Sequence, residues 1–148
     1  MTYNRSNILD VYKRVEKSSD SERNPYDIVR LVLNELSRTM QILSDDIEKK
    51  LTLVKSSKIA DLPNIQKSIS KNVSRSLSTI YSLQTSLDFE KGGKIANSLF
   101  QLYEFCRLQI IEGFTKSINS GINQAKTALD QIISAWEGMN IKKEKNDR

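Results

Sequence analysis

Few side chains of this sequence could take part in catalysis or hold a metal. The chain has no histidine and a single cysteine, Cys106, which excludes an imidazole base, a cysteine–histidine pair and a zinc site built from cysteines. Its densest carboxylate group, Asp45, Asp46 and Glu48, adjoins Lys49. Mixed charges in one run are typical of a solvated helix face rather than of a paired acid and base. The sequence therefore predicts a protein that is not an enzyme and uses no metal or cofactor.

Two further features also favour a structural interpretation. Cys106 lies three residues from Tyr103 on an apolar stripe, which is typical of a buried thiol. Lys67, Lys71 and Arg75 are spaced by four and share one side of a helix, but no aromatic residues lie between them, and the net charge of +5 is spread along the chain. A solvated surface is the favoured interpretation. We predict no nucleic-acid partner, since a nucleic-acid binder would need a clustered basic face and strongly salt-dependent binding.

The elements that must position any site are predicted to be helices. The chain of 148 residues is long enough for one core. Its 5 glycines all lie between residues 92 and 138, which leaves the front of the chain without the glycines that hairpin turns need. No N-terminal leader is evident, and no apolar run approaches the roughly 20 residues that a membrane helix needs. We expect a single cytoplasmic domain with no membrane insertion.

Four amphipathic segments follow from apolar residues spaced by three and four. The first begins at Asn24-Pro25, where a capping side chain precedes a proline, and breaks near residues 56–61. The second begins with Asp61 as its cap. The third follows an interhelix turn that contains Gly92-Gly93, and the fourth ends at Gly138.

These segments predict an all-α fold, an antiparallel up-down four-helix bundle with an N-terminal arm. We assign the whole chain, residues 1–148, to one domain. The arm covers residues 1–24, the bundle residues 25–140, and a charged tail residues 141–148.

The third helix is apolar around much of its circumference. Beside its main stripe, a second apolar face is formed by Phe100, Phe105, Leu108 and Ile111. Two explanations stay open at this point. Either a partner covers the second face, or this helix is the most central one and the N-terminal arm shields it.

The residues of this region resemble the flagellar secretion chaperones of the FliS type, which bind flagellin. The resemblance is densest over residues 87–99 and at Leu102-Tyr103-Glu104-Phe105, and it reaches Ala135-Trp136. The front half is similar more loosely, through Tyr12 and Val15 and the proline that starts the first helix. The chain departs from the family pattern at Leu108-Gln109, where a basic pair is expected, and in its serine-rich second helix.

This resemblance implies a cytosolic chaperone that binds the C-terminal segment of newly made flagellin. It would prevent premature polymerisation and aid export, with the flagellar export apparatus as a further partner. Apolar grooves between helices would hold a segment that folds on binding. The candidate groove residues are Ile80, Leu83, Leu87, Ile95, Leu99, Phe100, Leu102 and Tyr103. In the N-terminal arm, Tyr12 and Val15 would occupy a groove when no client is bound.

An alternative from another class is a generic helical adaptor or a homo-oligomeric bundle that does not bind flagellin. In that case the second face of the third helix would meet another copy of the chain. For the chaperone we expect a monomer or a weak dimer.

Overall fold

A computed structural model describes residues 25–146, with side chains placed from residue 25 to residue 138. Helix α1 spans Pro25–Lys55, and a short 3-10 helix spans Ile59–Asp61. Helix α2 spans Leu62–Thr85, α3 Phe89–Lys116 and α4 Ser120–Asn146. Strands are absent from the described residues, so the all-α prediction is confirmed. The predicted N-terminal arm, with Tyr12 and Val15, and the Asn24 cap lie outside the described residues.

The four helices run antiparallel to their neighbours. On the α1–α4 side, Ser44 donates to Asn123 while Tyr26, near the start of α1, stacks on Trp136, near the end of the described side chains. The α3–α4 side shows the same order, since Cys106 donates to the Ala125 carbonyl while Gly113 lies against Ile122. Helix α1 packs on α2, α2 on α3, α3 on α4 and α4 on α1. The helices therefore form a ring in which α1 and α3 are diagonal.

The core is aliphatic and is filled from all four helices. Its fully buried side chains include Leu33, Met40, Ile80, Ile110 and Leu129, all at 0% exposure. They follow the apolar stripes of the sequence, because one face of each long helix must leave water. The bundle interior is thus a closed core.

Helix α1 ends in a Schellman motif that closes on a serine. Ser57 has a φ of 58°, its N–H donates to the Val54 carbonyl at 3.4 Å, and the next N–H, that of Lys58, donates to Leu53 at 3.0 Å. Glycine is the usual residue at this left-handed position.

The predicted break near residues 56–61 is confirmed, but Asp61, the predicted cap of α2, makes no capping hydrogen bond through its side chain.

Three local predictions are wrong. The pair Gly92-Gly93 is not an interhelix turn, because α3 already begins at Phe89 and Gly93 lies inside it with φ 50° and ψ −122°, as a kink. Helix α4 does not stop at Gly138 but continues to Asn146, since one glycine lowers helix stability without ending the hydrogen-bond ladder. Asp46 is not solvated, because α2 packs over it and Ser68 donates to its carboxylate at 2.6 Å.

Candidate functional site

The second apolar face of α3 is open to solvent in the described structure. Leu108 is 50% exposed, and Phe105 and Ile111 are each 37% exposed. The opposite side of the helix is anchored in the core through Tyr103 and Cys106. The described helices therefore do not cover these side chains, while the alternative of shielding by the N-terminal arm concerns residues outside the described range.

A hydrogen-bonded bridge fixes how α3 lies against α2. Gln84 donates to Glu104 at 3.0 Å, and Arg107 donates to the same carboxylate through both Nε and Nη2. These interactions lower the pKa of Glu104 to about 2, with the Arg107 hydrogen bond as the largest cause and the Gln84 hydrogen bond next. The Glu104 carboxylate is therefore charged and accepts hydrogen bonds from both Gln84 and Arg107 at the seam between the two helices.

Apolar residues flank this bridge on both helices. On α3, Phe100, Leu108 and Ile111 lie four before, four after and seven after Glu104, so they share its side of the helix. On α2, Tyr81 and Leu77 precede Gln84 by three and seven. Because the helices are antiparallel, Tyr81 is level with Leu108.

We use the name α2–α3 groove for this set of side chains along the seam between the two helices. Its members, apart from the bridge, are Leu77, Tyr81, Phe100, Leu108 and Ile111. Tyr81 is 68% exposed, whereas Leu77 packs partly against the core. The groove is apolar on either side of a polar centre, which suits one face of an amphipathic segment rather than a small reactive substrate.

One end of the groove is covered by a side chain of the same helix. The ring of Phe89 contacts Phe100 edge to face, with ring centroids 6.0 Å apart. Phe89 belongs to the single turn that precedes the Gly93 kink, and Asp88 caps that turn by accepting from the N–H groups of Glu90 and Lys91 at 3.1 and 3.0 Å. The cap and the kink together set the position of the Phe89 ring.

The structure divides the predicted groove residues into three groups. Ile80, Leu83 and Tyr103 lie in the core and offer a partner no accessible surface in this conformation. Four residues are half-buried at the edge of the core, namely Leu87, Leu99, Phe100 and Leu102. Ile95 is well exposed. The candidates in the arm, Tyr12 and Val15, lie outside the described residues.

Sequence reasoning missed Leu77, which lies on the main stripe of its helix, and two aromatic residues of this region as site candidates. Tyr81 is adjacent to the buried stripe of α2, and only the packing side of α3 reveals that it borders a groove. Phe89 lies in the segment predicted as a turn, so its contact with Phe100 was not expected. The signal that could have indicated both is their type, since large aromatic side chains on polar stretches often mark binding surfaces.

A polar recess lies elsewhere on the described surface. An open recess of about 420 Å³ lies between α1 and α4, lined by polar residues such as Ser44, Glu48, Asn119 and Asn123. These side chains already hydrogen-bond to one another, as in the Asn119 donation to Glu48 at 3.0 Å. No group of three or more acidic or cysteine ligands suited to a metal occurs between residues 25 and 138.

Cys106 is a core thiol, as predicted. It is fully buried and unpaired, and burial raises its pKa to about 12. A neutral, enclosed thiol is a poor nucleophile.

None of the described helices is both long enough and apolar enough to cross a membrane.

Comparison with known proteins adds an independent finding. A sequence model of the family described as "Flagellar protein FliS" matches residues 9–144. A curated protein of Pseudomonas aeruginosa, named flagellar secretion chaperone FliSB, is 28% identical over 67 residues, which are 45% of this chain and 53% of that protein. The aligned part thus spans about half the length of this relative. No solved structure matches the chain.

Proposed function

Because this chain belongs to the FliS family of flagellar proteins, we propose that it is a flagellar export chaperone that binds the C-terminal segment of flagellin. The observation that carries the proposal is the family match over residues 9–144. The chaperone name of the Pseudomonas relative supports it. The same name agrees with the prediction that the chain is not an enzyme.

The α2–α3 groove supports this proposal physically. A client segment that is disordered alone can form a helix while it buries apolar side chains between two helices of a partner. Tyr81 and Leu108 provide accessible apolar surface on the two walls, and the outward Phe105 extends that surface around α3. Some of the interaction free energy is used to order the client, which keeps the affinity moderate and permits release.

The chaperone would hold flagellin as a monomer by covering the helices through which it polymerises. We place this step in the cytoplasm, before delivery to the export apparatus. The binding and release follow from apolar contact and ordering alone, so the proposal needs neither ATP nor a metal.

Calorimetry with a peptide of the flagellin C-terminal segment tests the proposal. The double variant Tyr81→Asp, Leu108→Asp places a charge on each wall of the groove at side chains that are already exposed, so the fold should persist. We expect binding to weaken at least about tenfold, since each desolvated charge costs well over 1 kcal/mol. Tyr103 is unsuitable for this purpose, because a charge in the core would unfold the protein.

A matched control is available at the far end of α2. Ile59 is 65% exposed, similar to Tyr81, but lies on the 3-10 helix before α2, so Ile59→Asp should bind like the wild type. Wild-type protein that does not bind the peptide would contradict the proposed function. Equal binding by the groove variant and the control would instead contradict this location.

The same exposed face also favours a second candidate, self-association through α3. Size-exclusion chromatography with light scattering separates the two. The chaperone should be a monomer or weak dimer that forms a one-to-one complex with the client, whereas an obligate dimer that dissociates on Leu108→Asp would support the homo-oligomeric alternative.

A further inference from the structure

The first turn of α3 is joined to the rest of the helix at a position whose backbone conformation only glycine adopts easily. Gly93 combines φ 50° with ψ −122°, which lies outside the left-handed helical region as well as the right-handed one. A Cβ at this position would meet nothing within 4 Å. The kink therefore depends on backbone conformation and not on tight packing.

The turn before the kink is held mainly by local contacts. The N–H groups of Glu90 and Lys91 donate to the Asp88 side chain, and that of Gly92 donates to the Asp88 carbonyl at 2.8 Å. Beyond these, its large side chain is Phe89, which is 46% exposed and contacts Phe100. An edge-to-face pair with one ring half in water is a modest interaction.

This modest contact is made on a wall of the α2–α3 groove. Phe100 shares one side of α3 with Glu104 and Leu108, so the Phe89 ring covers apolar surface that a client helix would use. A self-contact on a binding surface lowers the apparent affinity for any ligand that must displace it.

We propose that Phe89 is an internal plug of the α2–α3 groove, with Gly93 as its hinge. The Phe89 ring covers Phe100 in the client-free protein. When a client segment binds, the turn before Gly93 rotates and the Phe89 ring is displaced. This inference rests on the proposed function, and it adds a regulatory contact within the same site.

The first test is the effect of Phe89→Ala on binding of the flagellin C-terminal peptide. If the ring competes with the client, its removal should tighten binding about twofold to tenfold, the range of an aromatic pair. Weaker binding would mean that Phe89 is a client contact, and unchanged binding that it does not compete; either result overturns the plug. Ile59→Ala, which truncates an exposed apolar side chain far from the groove, should leave the affinity unchanged.

Gly93→Ala tests the hinge separately. Alanine disfavours the observed dihedral angles but meets no steric obstacle, so it should shift the turn away from its closed position and tighten client binding in the same direction as Phe89→Ala. Gly138→Ala, at a helical glycine that also has nothing within 4 Å, controls for the general effect of alanine. Weaker or unaltered binding by Gly93→Ala would overturn the hinge.

A client-free measurement separates failure of the plug from failure of the proposed function. The apolar dye anilinonaphthalene sulfonate should bind Phe89→Ala more strongly than wild type, because loss of the plug uncovers Phe100. If the wild type does not bind the flagellin peptide, the proposed function fails, and dye binding still decides the plug. Equal or reduced dye binding would overturn it, since removal of an exposed ring alone can only lower apolar surface.

Discussion

Two glycines within long helices have opposite effects on stability. A Cβ on Gly113 would lie 2.5 Å from Ile122 Cδ1 and 2.6 Å from the Ile118 carbonyl oxygen, so α3 and α4 can approach only because this side chain is absent. Gly138 has open space around its Cα. The first glycine is required by packing, whereas the second only lowers helix propensity.

We expect Gly113→Ala to lower the free energy of unfolding by about 1–3 kcal/mol, as overpacking does. Gly138→Ala should raise it by about 0.5–1 kcal/mol through helix propensity. Urea denaturation followed by circular dichroism measures both. Similar effects of the two substitutions would contradict the packing role of Gly113.

The left-handed serines give a second prediction at this scale. Ser57 and Ser117 have φ values of 58° and 54°, and each occupies a position that glycine takes without steric cost. Ser57→Gly should therefore stabilise the protein by about 1 kcal/mol. Ser117→Gly should gain less, because the Ser117 hydroxyl accepts from Lys50 at 2.9 Å. Thermal unfolding monitored by calorimetry gives the ranking, and a larger gain at Ser117 would refute it.

At the scale of the elements, α1 was predictable because its start and stripe are local properties. Pro25 fixes the first turn, and apolar spacing carries the helix to Lys55. The kink at Gly93 was not predictable in detail, since a glycine pair permits a departure from helix but the Asp88 cap decides where the helix begins. The continuation of α4 past Gly138 has a similar origin, because helix ends depend on more than one residue.

The candidate site was predictable only in part, for a geometric reason. Phe105, Leu108 and Ile111 could be identified because they fall outside the main stripe of their own helix. Tyr81 could not, since its exposure depends on which side of α2 receives α3. Burial of Ile80 and Tyr103 likewise results from all four helices together, and a stripe alone does not separate a groove wall from the core.

The bridge between α2 and α3 predicts a specific acid sensitivity. Arg107 and Gln84 lower the pKa of Glu104 from 4.5 to about 2, so the folded state favours the carboxylate more than the unfolded state does. This contribution is present above pH 4.5 and is lost as the pH falls towards 2. Because the group is partly solvated, we expect less than about 1 kcal/mol.

Comparison of wild type with Glu104→Gln isolates this contribution. The variant should be less stable at neutral pH, and the difference should shrink as the pH falls towards 2, because the Glu104 carboxylate is protonated over that range. Urea unfolding at a series of pH values measures the difference. A gap that stays constant from pH 7 to pH 2 would show that the carboxylate charge does not stabilise the bridge.

At the scale of the whole molecule, the ring of helices has two different seams. The α1–α4 seam carries several polar pairs, with Ser37 donating to Asp130 and Ser44 to Asn123. The α2–α3 seam leaves apolar side chains exposed around one bridge. A partner gains more from the second seam, because apolar area is removed from water without breaking existing hydrogen bonds. We therefore expect a partner to bind on the α2–α3 side of the bundle.

An aromatic contact joins the start of α1 to the later part of α4. The rings of Tyr26 and Trp136 stack with centroids 4.4 Å apart. Trp136 Nε1 donates to the Tyr26 carbonyl at 3.1 Å, and the Tyr26 hydroxyl donates to the Trp136 carbonyl at 3.3 Å. Two reciprocal hydrogen bonds and a stacked pair thus join the first turn of α1 to α4.

A double-mutant cycle with Tyr26→Ala and Trp136→Ala measures this contact. We expect a coupling free energy of about 1–2 kcal/mol, from the ring pair and its hydrogen bonds. Because α1 contacts both α2 and α4, loss of the contact should lower the stability of the whole bundle. Circular dichroism should then show a single unfolding transition, shifted to a lower urea concentration. A coupling free energy near zero, or an early transition confined to part of the helical signal, would contradict this expectation. Either result would mean that the contact between Tyr26 and Trp136 opens without affecting the ring, and that the α1–α2 and α3–α4 pairs hold the ring closed.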